Sequence, residues 1–328
     1  MTNPAQFHQE NIIIDGLNAS HFPNPAALRR LVEGGVTAVN ATIAAWHNPT
    51  ETINQMAEIY RLFREHDDLI MQVTETADIF AAKKNGRTGL ILGFQDTAPL
   101  GDNLDMLAVY RRLGVRIIQL TYNFENLVGF GCQAPEDKGL TDFGREVVAE
   151  MNRLGILIDL SHCGPQTTLD AIELSQTPVA ITHANAYAQF PHPRNKTDEA
   201  IRALAAKGGV IGALSFPAML TQNLPATLDD YLDAVDYLVN LVGVDHVGLG
   251  PDFMEEMTAE TMAIVLDGLP PDVVALLTKM PPVQDFASVA DMPNVTRGLL
   301  ERGYSKSDAR QIIGGNWLRL YEEVWAAR

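Results

Sequence analysis

Short apolar runs rich in β-branched residues alternate with longer segments of helical period along this chain, which is the sequence form of a parallel sheet joined by crossover helices. The runs are NIIID (11–15), VTAVNATIA (36–44), LIMQV (69–73), GLILGF (89–94), RIIQLTY (116–122), ILIDLSH (156–162), PVAITHA (178–184), GVIGALSF (209–216) and HVGLGPD (246–252). Nine runs are one too many for a (β/α)8 barrel. LIMQV is the one set aside, because it follows the charged REHDD and leads directly into another helical segment, TADIFAAKKNG. The other eight alternate with helices such as NLDMLAVYRRLG, DFGREVVAEMNRLG, DEAIRALAAKGG and LDDYLDAVDYLVNLVG, each ending at or near a glycine suited to a left-handed cap.

No repeat, low-complexity stretch or Pro/Ser linker interrupts this order, so residues 1–328 are expected to form one TIM-barrel domain. The stretch 251–296, rich in Met, Pro and acids, begins just past the last strand and is expected to overhang the barrel mouth as a lid. The C-terminal SKSDARQIIGGNWLRLYEEVW reads as a helix docked by Trp317, Leu320 and Trp325.

Charge narrows the partners. Lys plus Arg number 24 against 41 Asp plus Glu, a net charge of −17 that repels nucleic-acid phosphates and anionic lipid. A small molecule is the expected partner, with neither nucleic acid nor membrane, and a homodimer is left open. The two cysteines, Cys132 and Cys163, lack any zinc-finger spacing, and no stretch approaches the roughly 18 apolar residues of a membrane span. A cytoplasmic location is therefore expected.

In such barrels the chemistry gathers at the C-terminal ends of the strands. ILIDLSH ends on His162, PVAITHA carries His183 and HVGLGPD ends on Asp252, so two imidazoles and a carboxylate are expected at one mouth. Imidazole nitrogens bind zinc, and a nearby carboxylate can take a proton from an activated water. Cys163 beside His162 is a weaker nucleophile candidate, since adjacent strand residues point to opposite faces. The chain has no G-x-S-x-G elbow, Walker A loop, H-E-x-x-H pair or dinucleotide fingerprint.

Nearly end to end, the motifs IIIDGLN, GLILGFQ, LGVRIIQLTYN, GLTDFGREVV, MNRLGILIDLSHCG, PVAITHANAYA, HPRNKTDEAIRALAAKGGVIG, DHVGLGPDF and IIGGNWLRLYEEVW resemble those of the renal (membrane) dipeptidases, metal-dependent barrel hydrolases of the amidohydrolase type. The resemblance implies a (β/α)8 barrel, a site for two zinc ions and hydrolysis of dipeptides or related small amides. By the same resemblance, His162 and His183 match two metal-binding histidines, Asp252 the proton-handling aspartate, and Arg194 the arginine that meets a substrate carboxylate. Other positions depart from it. Leu17 and Ala19 stand where the family has a His and an Asp, Gln95 at a bridging glutamate, and Tyr122 at a substrate-contacting histidine.

Two zinc ions about 3.5 Å apart repel by roughly 19 kcal/mol at an effective dielectric of about 20, so bridging anions must offset that repulsion. A neutral Gln95 amide cannot. One zinc ion is therefore expected, held by His162, His183, the Gln95 carbonyl oxygen and water, with Asp252 and Tyr122 as catalytic groups and Arg194 and Tyr122 binding substrate. His21, two residues past Ala19, could substitute as a ligand, but a solvent-facing loop role is favoured for it. The competing readings are a barrel that binds a small amino-acid-like carboxylate without hydrolysis, and a lyase or isomerase with Asp252 as base.

Overall fold

In the computed structural model, which describes residues 3–265, 271–277 and 279–326, the apolar runs become nine parallel strands: β1 (Ile14–Asn18), β2 (Ala38–Ala44), β3 (Ile70–Gln72), β4 (Thr88–Phe94), β5 (Val115–Gln119), β6 (Leu157–Asp159), β7 (Ala180–Ile181), β8 (Val210–Ala213) and β9 (Val247–Leu249). Eight of them pair in the order β1-β2-β4-β5-β6-β7-β8-β9. The ring closes beyond the last ladder, where Asn18 bridges Phe253 and the Ala19 amide donates to the Phe253 carbonyl at 2.8 Å. This is the (β/α)8 barrel that the alternation predicts.

LIMQV requires a correction. It does form a strand, β3, which pairs with Thr88–Leu90 of β4. β5 takes up the pairing from Leu92 onward, so β3 fills the short length of edge below it and stays outside the ring.

The four helices named from the sequence all form, and Gly114, Gly155, Gly208 and Gly243 past their ends all have positive φ. The helix Asp142–Leu154 illustrates the logic. Thr141 caps its first turn by accepting from the Gly144 amide, Val147, Val148 and Met151 face inward, and Gly155 ends it in the left-handed conformation.

At the bottom of the barrel the helix Asn316–Trp325 crosses the strand N-termini, burying Trp317, Leu320, Tyr321 and Trp325. Trp317 enters where Gly16 and Gly248 leave room, since a Cβ on either would lie within 2.6 Å of its ring. Its indole N–H donates to the Leu249 carbonyl at 3.0 Å. Trp317→Ala is therefore expected to cost about 3–5 kcal/mol, measured as a lower urea midpoint at unchanged slope. With this end plugged, the opposite mouth is the face left for a ligand.

Along 251–296 the chain is more regular than its composition suggests, with helices at Ala259–Val265 and Pro271–Leu277. Residues 266–270 and 278 of the expected lid lie outside the described residues. The segment's start is tied to the barrel: Glu256 pairs with Arg30 at 2.6 Å and accepts from the Asn24 amide at 2.8 Å.

Candidate active site

The strands end earlier than their apolar runs, and polar side chains account for the difference. Asp159, the last residue of β6, accepts from the backbone amides of Ser161 and Thr182, both at 3.0 Å. One carboxylate thus takes two N–H groups that a longer ladder would have used. The chain is then free to turn, and His162 and His183 leave the ends of β6 and β7 toward each other. Their Nε2 atoms stand 3.0 Å apart. His162 Nδ1 lies 2.7 Å from Asn123 Oδ1, and His183 Nδ1 lies 2.7 Å from Thr182 Oγ1.

Both imidazoles are buried, and burial holds their pKa values well below the usual histidine value, reinforced by the positive charges of Arg194 and Lys196. They are neutral near pH 7, the form in which an imidazole offers a lone pair. Tyr122 stacks on the His162 ring with centroids 3.9 Å apart, and Trp46 meets Tyr122 edge-on at 4.5 Å. Burial first, and the Asp252 charge second, keep the Tyr122 hydroxyl well above the ordinary phenol value, so it stays a donor.

Asp252 follows β9 at φ 63°. Burial pushes its carboxyl up to about 7, against the opposing pull of Arg194. It lines a cavity of about 400 Å³ at the mouth, shared with Gln95, Tyr122, Trp46 and His21, whose far wall includes Met254 and Met257. A second cavity of about 270 Å³ lies on its other side, against Phe216, Met280 and Phe286. Gln95 is buried and donates its amide to Thr42 Oγ1 at 2.9 Å. His21 is half-buried on the cavity wall. Leu17 is buried.

Arg194 is buried, and its guanidinium donates to the carbonyls of Ser161 at 2.6 Å and His183 at 2.8 Å. Two of its five N–H groups are thus committed to the loops that carry the imidazoles, leaving three. Lys196, which sequence reasoning passed over inside HPRNK, is buried as well. It donates to the Cys163 carbonyl at 2.6 Å and to Thr168 Oγ1 at 3.2 Å, and burial pushes it down to about 8. Neither cation forms an ion pair among the described residues, so an acidic protein carries a positive centre beneath its mouth. Cys163 is buried, with its thiol pushed up to about 11, a poor nucleophile at neutral pH.

Asn123, Asp159 and Thr182 also went unremarked in the sequence. The one available signal was a carboxylate and a hydroxyl inside otherwise apolar strand runs.

The family model of the membrane dipeptidases, peptidase family M19, matches residues 2–265. This chain belongs to the membrane dipeptidase family. Dipeptidase tcpJ of Claviceps purpurea is 31% identical over 90% of the chain and 68% of its own length, and dipeptidase aclJ of Aspergillus oryzae is 30% identical over 84% and 61%. An amidohydrolase from Pseudomonas aeruginosa of known crystal structure is 36% identical, with a TM-score of 0.94 over 99% of both chains.

Membership in this family brings a metal into question, and the donor set can be tested for it. Two zinc-bound nitrogens at about 2.0–2.1 Å and a tetrahedral angle stand roughly 3.3 Å apart; the two Nε2 atoms, at 3.0 Å, fit one ion. Among the described residues no group of three or more His, Cys, Asp or Glu is arranged to hold a metal. The remaining positions of such an ion fall to neutral oxygens and water.

Proposed function

We propose that this member of the membrane dipeptidase family is a hydrolase with one catalytic zinc ion, cleaving a dipeptide or related small amide that bears a carboxylate and an apolar side chain. The observation that carries the reading is the pair of neutral imidazoles converging at 3.0 Å under Tyr122, at a mouth whose cavity wall includes Asp252. His162 and His183 would hold the ion, with the Gln95 carbonyl oxygen and water as further ligands. When bound, the ion supplies a Lewis acid for the amide carbonyl and an acidified water.

The chain's own groups do the rest. Asp252, pushed up to about 7, accepts a proton near neutral pH and returns it to the leaving amine. The Tyr122 hydroxyl donates to the carbonyl oxygen as it gains charge. Arg194 meets the substrate carboxylate with the N–H groups its backbone bonds leave over. The apolar side chain enters the cavity walled by Trp46, Ile59, Met254 and Met257. The segment 251–296, which contributes the two methionines, acts as the lid.

The test is stoichiometry with turnover. Untagged protein dialysed against zinc should carry about one ion per chain by plasma mass spectrometry and hydrolyse members of an apolar dipeptide panel. Two ions per chain, or none, would sink the proposal as written. Trp46→Ala removes an exposed wall residue of the cavity, and KM for bulky apolar dipeptides is expected to rise about tenfold, a loss of about 1.4 kcal/mol, with Ala-Ala little changed.

Binding of a small amino-acid-like carboxylate without turnover is the second reading. The buried Leu17 favours it, an aliphatic side chain standing where the family resemblance puts a histidine. Zinc-free, saturable dipeptide binding with intact dipeptide recovered would select it.

A further inference from the structure

The network behind the two imidazoles can be solved for its protons. Asp159 Oδ1 receives the Ser161 hydroxyl at 2.6 Å, and Oδ2 receives the Thr182 hydroxyl at 2.6 Å. With the amides of Ser161 and Thr182, four donors point at this carboxylate, which can only accept. Each hydroxyl has a single proton, and both are spent. Thr182 Oγ1 therefore offers only lone pairs to His183 Nδ1, 2.7 Å away. The proton in that bond belongs to His183, and Nε2 is left bare.

His162 is held differently. Its Nδ1 faces the side chain of Asn123 at 2.7 Å, and an amide has an accepting end and a donating end. With Oδ1 toward the ring, His162 carries its proton on Nδ1 and its Nε2 is also bare. Turned over, the amide donates to Nδ1, the proton moves to Nε2, and His162 can donate across the 3.0 Å gap to His183. Two bare lone pairs at that distance repel unless a cation lies between them, whereas an N–H···N bond is favourable. The pair thus has two arrangements; of the two imidazoles only His162 has to change between them, while Asn123 turns over and gives up the weak Cys132 thiol contact to its Oδ1 at 3.6 Å.

We infer that Asp159, acting through the Thr182 hydroxyl, is a positioning residue that fixes His183 as a permanent lone-pair donor, while Asn123 lets His162 switch its protonated nitrogen when a cation arrives. The cation half of this rests on the proposed single-ion site; the fixed tautomer of His183 does not. A merely structural role, closing the ends of β6 and β7, would require the amide bonds to Asp159 but would leave the His183 tautomer free.

The experiment is nitrogen NMR of the full chain with labelled histidine, zinc-free and zinc-loaded, alongside zinc affinity from competition with a chromophoric chelator. His183 should carry its proton on Nδ1 in both states, and His162 should move its proton from Nε2 to Nδ1 on zinc loading. Thr182→Val, nearly the same shape without the hydroxyl, should release the His183 tautomer and weaken zinc binding about 10–100-fold, and Thr182→Ser should restore both. A His183 protonated on Nε2 in the unmodified protein would overturn the inference. So would a Thr182→Val variant with unchanged tautomer and affinity, or a His162 indifferent to zinc. If Thr182→Val does not fold, the unmodified protein and Thr182→Ser decide by the same spectra. If zinc does not bind at all, the hydrolase reading fails, while the zinc-free spectrum still decides the tautomer of His183.

Discussion

Alanine in place of either His162 or His183 is expected to remove zinc and peptide hydrolysis together, with the rate falling by at least about a thousandfold. The expectation follows from ligand number. Among the described residues no third His, Cys, Asp or Glu joins this imidazole pair in a metal-holding group, so each variant leaves a single strong ligand, and a lone imidazole does not retain a divalent ion against dialysis. A metal ion's charge stabilisation is worth several kcal/mol, and about 4 kcal/mol corresponds to a thousandfold in rate. The two variants should differ in stability. His183 is fully enclosed, and its loss opens a hole and leaves Thr182 Oγ1 without its imidazole partner, a cost of about 1–3 kcal/mol. His162 sits under the Tyr122 ring at the edge of the mouth and should cost less. Plasma mass spectrometry, dipeptide turnover and urea unfolding on the same preparations check all three points. One ion retained by both variants would mean that other residues hold it.

Asp252→Asn should lower kcat by about 10²–10⁴ and stabilise the protein at alkaline pH. The substitution keeps the backbone, because Asn tolerates φ 63° as readily as Asp. What it removes is the base. The carboxyl is pushed up to about 7 by burial, so kcat/KM of the unmodified enzyme should rise with pH through about 7 and then level, and the variant should lack that limb. The stability effect has a definite sign. A carboxyl whose pKa is raised by folding contributes its full stabilisation below its unfolded value of 3.8, and loses it as pH climbs through about 7. Above that range the fold must hold an unfavourable anion. At pH 8 the Asn variant should therefore unfold later in urea than the unmodified chain, by about 1–2 kcal/mol after allowance for the water in the two cavities that Asp252 lines. At pH 5 the gap should be smaller, and it closes only below the unfolded value of 3.8. Equal stability at both values would show that Asp252 is not held in the raised state.

Much of this was readable from residues alone. Alternation of apolar runs with capped amphipathic helices specifies a parallel barrel because each strand needs a crossover and each crossover buries one helical face; the helix ends at Gly114, Gly155, Gly208 and Gly243 follow from the same local rules. His162, His183 and Asp252 were legible because polar residues ending apolar runs have few structural uses. The place of LIMQV was not, since periodicity says that a segment is extended but not which length of edge is vacant for it. Only the fold could commit part of Arg194 to two carbonyls, bury Lys196 next to it, and set Asn123, Asp159 and Thr182 around the imidazoles. These contacts join segments 11 to 39 positions apart. A sequence pattern records the preference of each residue for its own neighbours along the chain. Which nitrogen of a buried histidine keeps its proton depends on donors and acceptors brought from elsewhere, and that choice exists only once the strands have closed.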